Sequence, residues 1–114
     1  MIDKMARETL GNFELMVLLA LMRVRDEAYG VPIAKTIEES TRKTVVLASV
    51  YAALERLEEK GFVSSRVGDP TAERGGRAKR YFEITSHGLR QVRETQRALT
   101  TLWRDLPQLA GHRA

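Results

Sequence analysis

"ASVYAALERLEEKGFVSSRV", residues 48–67, changes its hydrophobic period at a glycine. Before Gly61, the residues Val50, Leu54 and Leu57 recur at steps of three and four, which gathers them on one face of a helix. After it, "FVSSRV" is short and rich in β-branched residues, as a strand is. A glycine at the join suits the left-handed turn that closes many helices. The stretch therefore predicts a helix running straight into a strand.

Downstream, "KRYFEI" is a second strand-like run, separated from the first by a segment holding Gly68, Asp69, Pro70, Gly75 and Gly76. Together they predict a β-hairpin with a long turn. Alternation puts Phe82 and Ile84 on its core face and Tyr81 and Glu83 on the other. Thr85 can cap a last helix, on which Leu89, Val92, Gln96, Leu99, Trp103 and Leu106 follow at steps of three and four. The residues after Pro107 are expected to fray.

Upstream, Asn12 can cap a helix reaching about Arg25, and its run "LMVLLALM" at 15–22 is apolar nearly all round. Such a helix is buried against more than one neighbour. In "YGVPIAKTIEES", Pro32 suits a first helical turn and Ile33, Ala34 and Ile37 form an apolar face, so a short second helix should end near Ser40. The polar "STRKT" then leads to the third.

At 114 residues the chain is the size of one domain, and it contains no cysteine, hence no disulfide and no thiolate metal site. Its longest wholly apolar stretch is far shorter than the ~20 residues that span a bilayer, and no charged-then-apolar leader opens it. A cytoplasmic protein without a membrane association is expected. The net charge is +4, and between Ser64 and Arg80 five basic residues (Arg66, Arg74, Arg77, Lys79, Arg80) meet only Asp69 and Glu73. Positive charge concentrated on one segment suits a polyanion, although a charge run is also compatible with a plain solvated loop.

Three helices followed by a charged hairpin describe a mainly α fold with a β-hairpin, the winged helix-turn-helix, extended here by a C-terminal helix. The expected division is 1–85 for the winged helix-turn-helix, 86–107 for a dimerisation helix and 108–114 for a tail. In this arrangement the third helix, about 48–60, enters the major groove of double-stranded DNA, and the wing, about 66–80, lies on the backbone or the adjacent minor groove. Ser49, Tyr51, Ala52, Ala53 and Arg56 are then the groove-facing candidates, and Glu55, Glu58 and Glu59 are expected to face away from DNA. Arg66, Arg74, Arg77, Lys79 and Arg80 are candidates for phosphate, with Gly75 and Gly76 allowing close approach. Tyr51 has the alternative of packing on the second helix.

Four segments, "FELMVLLAL", "AYGVPIAKTIEE", "SVYAALERLEEKGFV" and "GGRAKRYFEITSHG", together resemble the PadR-type transcriptional regulators. Tyr51, Leu54, Leu57 and Gly61 match that family's recognition-helix motif; Gly75, Gly76, Arg77, Tyr81, Phe82, Ile84 and Thr85 match its wing and strand end. Ala78 departs from the proline often found after the wing arginine. The resemblance covers about Leu10 to Gly88. It implies a homodimeric repressor that binds a roughly palindromic operator and is released by a small, frequently aromatic ligand. It also implies dimerisation through the C-terminal helix and the first helix; the apolar stripe Leu89, Val92, Gln96, Leu99, Trp103 and Leu106 agrees with such an interface, with packing inside the monomer as the alternative, and Trp103 either lines a ligand pocket between subunits or simply fills the interface.

Other classes read less well. His87 and His112 are far apart and no carboxylate or serine is arranged around them; no phosphate loop or paired metal ligands occur, so neither catalysis nor a cofactor or metal is expected. A winged-helix protein-interaction module and a nonspecific nucleic-acid binder remain the alternatives.

Overall fold

The computed structural model describes residues 10–68 and 79–110. Helix α1 spans Asn12–Val24, a 3-10 turn Arg25–Glu27, α2 Gly30–Thr41 and α3 Leu47–Glu59. Strands β1 (Val63–Val67) and β2 (Arg80–Ile84) form an antiparallel pair, followed by α4 (Ser86–Trp103) and the single-turn α5 (Pro107–Ala110). No helix among the described residues is long and apolar enough to cross a membrane.

The join at Gly61 forms as its sequence dictates. Gly61 has φ +80°, its N–H donates to Glu58 O at 3.0 Å, and the Phe62 N–H reaches back to Leu57 O at 2.9 Å. These two bonds satisfy carbonyls that the helix end would otherwise leave open, and Phe62 packs into the core beside Leu57. The chain reverses there and enters β1.

Val17, Leu18 and Leu21 of α1, Ile33 and Ile37 of α2, and Val50, Leu54 and Leu57 of α3 meet in one core, which Phe62, Val63 and Phe82 close from the hairpin side. Phe82 also ties the sheet to the helices through its backbone, its N–H donating to Ala28 O at 2.8 Å. Ile84 packs at the margin, while Glu83 is exposed, so the alternation of β2 is as expected.

The junction with α4 is organised by Thr85. Its hydroxyl donates to Gly61 O at 2.7 Å and accepts from the Gly88 N–H at 3.0 Å, while its own N–H donates to Phe62 O at 2.9 Å. One residue thus caps α4 and fastens it to the end of α3.

Three local expectations are corrected. Asn12 is the first helical residue rather than the cap; Gly11 holds that position, and the Glu14 carboxylate, not an Asn side chain, takes up its N–H at 3.1 Å. Helix α3 begins at Leu47, one residue earlier than its sequence suggested. Residues 108–110, expected to fray, belong to a helical turn that begins at Pro107.

Candidate nucleic-acid interface

The surface of α3 is divided by its ends. Its N-terminal half exposes Leu47, Ala48, Ser49, Tyr51 and Ala52, none of them charged, whereas its C-terminal half exposes Glu55, Arg56 and Glu59. Glu55 therefore lies on the same line as Ala52, three positions on, and is not turned to the opposite side as expected. The exposed surface of the first half is thus uncharged, while that of the second carries two acids and one base.

Ala53 is a correction: it is fully buried and belongs to the core with Val50, Leu54 and Leu57. A helix turns about 100° per residue, so Ala53 falls on the buried side of its neighbour Ala52. Tyr51 is partly exposed, with its ring over Gly30 in the first turn of α2, where a β-carbon would overlap it. The alternative reading of Tyr51 describes this contact: it sets how closely α2 and α3 approach.

Arg56 is half-exposed but already engaged, its Nε donating to Glu14 Oε2 at 2.9 Å. Lys60 Nζ donates to the other oxygen of that carboxylate at 2.8 Å. Glu14 is nearly buried, at 6% exposure. Burial alone disfavours its charged form, but Lys60, Arg56 and the Gly11 N–H outweigh that and hold its carboxyl below the usual range. The triad pins the start of α1 to the end of α3, giving Arg56 a structural task that its sequence position did not reveal.

The described cations of the hairpin stand on aromatic rings. Lys79 Nζ lies 4.1 Å from the centre of the Tyr29 ring, and Arg66 Cζ lies 4.9 Å from that of Tyr81. Tyr29 and Tyr81 meet edge to face at 5.6 Å, so the four side chains form one cluster at the wing end of the strand pair. Arg80 Cζ lies 5.3 Å from the centre of the Phe82 ring, and its Nη2 also reaches α3, 2.8 Å from Glu58 Oε1. Arg74, Gly75, Gly76 and Arg77 lie outside the described residues.

A second surface lies between α1 and α4, an open groove of about 510 Å³ lined by Leu15, Leu19 and Met22 on one side and Leu89, Leu99 and Trp103 on the other. Val92 at its floor is 8% exposed and part of the monomer's core, which removes it from the residues free to meet another chain. Gln96, Leu99, Trp103 and Leu106 are exposed, joined by Leu102 and Leu109, which the sequence reading did not single out.

Glu14, Glu58 and Tyr29 were also missed. A lone acid inside the apolar "NFELMVLL" was the available signal for Glu14. Nothing local marks Glu58 or Tyr29.

The family model described as the transcriptional regulator PadR-like family matches residues 18–94. The chain belongs to this family. Among solved structures it is similar to a PadR family transcription regulator from Clostridium difficile, with 21% identity, TM-score 0.71, and 89% of this chain and 100% of the other covered. A PadR-like transcription factor from Bacteroides fragilis gives 24% identity and TM-score 0.71, covering 96% of this chain and 98% of the other. A PadR family regulator from Eggerthella lenta gives 23% and 0.65, covering 86% and 83%. Among curated proteins no sequence matches. The family is one of DNA-binding transcriptional regulators, and the winged helix built from α1–α3 and the hairpin is the fold these structures share.

Proposed function

We propose that this PadR-like regulator is a cytoplasmic homodimeric repressor that recognises a pseudo-palindromic operator in double-stranded DNA and is released by a small aromatic effector. The observation that carries the DNA half of this reading is the uncharged N-terminal half of α3 beside a hairpin rich in cations. Short side chains at Ala48, Ser49 and Ala52 let the helix sit deep in a major groove, where Ser49 can donate to a base edge or a phosphate and an alanine methyl can meet a thymine methyl. Arg66, Lys79 and, from the sequence, Arg74, Gly75, Gly76 and Arg77 are the backbone contacts.

The exposed leucines and Trp103 of α4 support the dimer, since a two-fold axis would cover them with their own copies. The groove between α1 and α4 supports the effector: it is apolar, bordered by the lone tryptophan, and large enough for an aromatic ring system.

Titration of the protein against a labelled duplex from its own upstream region, beside a scrambled duplex at two salt concentrations, tests the reading. Tighter binding to the native fragment that survives higher salt is expected. Equal, salt-sensitive binding to both would leave a nonspecific nucleic-acid binder, and binding to neither would favour the protein-interaction module.

A further inference from the structure

The hairpin is held to the recognition helix by a closed ring of three side chains, one from each element. Glu58 of α3 accepts from Arg80 Nη2 of β2 at 2.8 Å through Oε1 and from the Ser65 hydroxyl of β1 at 2.8 Å through Oε2. Arg80 Nε closes the ring on Ser65 Oγ at 3.2 Å. The Glu58 and Arg80 side chains are 34% and 46% exposed. Ion pairs so wet contribute little to stability, so the ring does little to keep the protein folded.

Its position matters more than its strength. Arg80 pairs with Val67 at the last rung of the ladder, where the strands part toward the wing turn. At the opposite end of the hairpin Val63 is anchored in the core, and at the central rung, across from Ser65, Phe82 is anchored there too, with the Ala28 carbonyl holding its N–H. A two-stranded ribbon with one anchored end is free to swing and twist at the other. Toward α2 that freedom is checked by Lys79 on Tyr29; toward α3 it is checked by the Glu58 ring.

We infer that Glu58 is a positioning residue for DNA recognition: a carboxylate that fixes the angle between wing and recognition helix without itself meeting DNA. A specific complex needs helix and wing to engage the duplex together, whereas nonspecific binding does not. Loss of Glu58 therefore lowers discrimination. Simple electrostatics predicts otherwise, because removing an acid beside a polyanion tightens binding to every duplex and leaves their ratio unchanged. The effect on discrimination rests on the DNA-binding reading above; the effect on hairpin geometry does not.

Two readouts separate these cases. The chain has no cysteine, so Ala48→Cys and Val67→Cys place spin labels only on α3 and on the wing end of β1. With labelled protein diluted in unlabelled protein, double electron–electron resonance reads the distance within one chain. Glu58→Ala and Glu58→Gln are expected to broaden that distribution at unchanged melting temperature, and the exchange Glu58→Arg with Arg80→Glu to narrow it again. On DNA, Glu58→Gln is expected to cut the native-to-scrambled affinity ratio by about tenfold, the size of one misplaced base contact. An unchanged distance distribution overturns the inference whatever the DNA result. If the distribution broadens while affinity for both duplexes rises equally and their ratio holds, the carboxylate acts on DNA by charge alone and the inference also fails. A wild-type protein with no preference between duplexes refutes the function proposed above and, with it, the role in discrimination, while the label distances still decide the geometry.

Discussion

The body of the winged helix and helix α4 use similar apolar side chains to opposite ends. Leu18, Leu54 and Leu57 in the body are at 0% exposure, while Leu102 and Trp103 on α4 stand at 71% and 60%. The first set is satisfied within one chain; the second is not. Fold stability and the proposed dimerisation thus fall to different segments, and a substitution should affect one with little effect on the other.

The sharpest way to break that division is Leu54→Ala, which empties a fully enclosed site and is expected to cost about 3 kcal/mol in chemical denaturation. Leu102→Ala, chemically the same change, should cost well under 1 kcal/mol when the monomer is measured at high dilution. Equal losses would show that α4 is part of the monomer's own core. Trp103→Ala comes next: sedimentation should show a dimer weakened about thirtyfold, as expected for an aromatic residue contributing ~2 kcal/mol at an interface. Unchanged sedimentation and ligand titration would remove Trp103 from both roles.

How far the sequence led is clearest at residues whose structure depends on near neighbours. The periodicity of α3, the stop at Gly61, the inward Phe82 and the cap at Thr85 were all legible, because each is decided within a few residues. Ala53 was misplaced by counting steps from Ser49 instead of following the Val50 stripe. Val92 was misplaced because a stripe on a helix does not say which end docks on its own body. Arg56, Glu14 and Glu58 escaped for a different reason. Their partners lie on other elements, and charge pairing across the fold leaves no periodic trace.

The Glu14 triad sharpens the comparison from within the body. Its carboxyl is held below the ordinary value, so the stabilisation it gives is full above the unfolded carboxyl's pKa, near 4.5, and is lost as pH falls through the lower folded value. Glu14→Gln should cost about 1–2 kcal/mol near neutrality, and denaturation curves of the two proteins should converge in acid. Curves that stay parallel down to acid would mean that the ion pairs contribute nothing. Arg56→Ala should then resemble a milder Glu14→Gln, with reduced stability and an unchanged base preference. The smallest effect is expected of Arg77→Ala, which should lower the salt dependence of DNA binding by about one unit per lost phosphate contact and leave both stability and assembly alone.

Thr85 couples two lengths that are usually considered apart. Because its hydroxyl joins the end of α3 to the start of α4, the proposed dimer, if closed on α4, would carry its two recognition helices as rigid outriggers. Successive major grooves on one side of B-DNA repeat every ~34 Å, so in that proposed dimer the tilt of α4 at this single residue would act as the vernier that brings two helices into step with the duplex or throws them out of it.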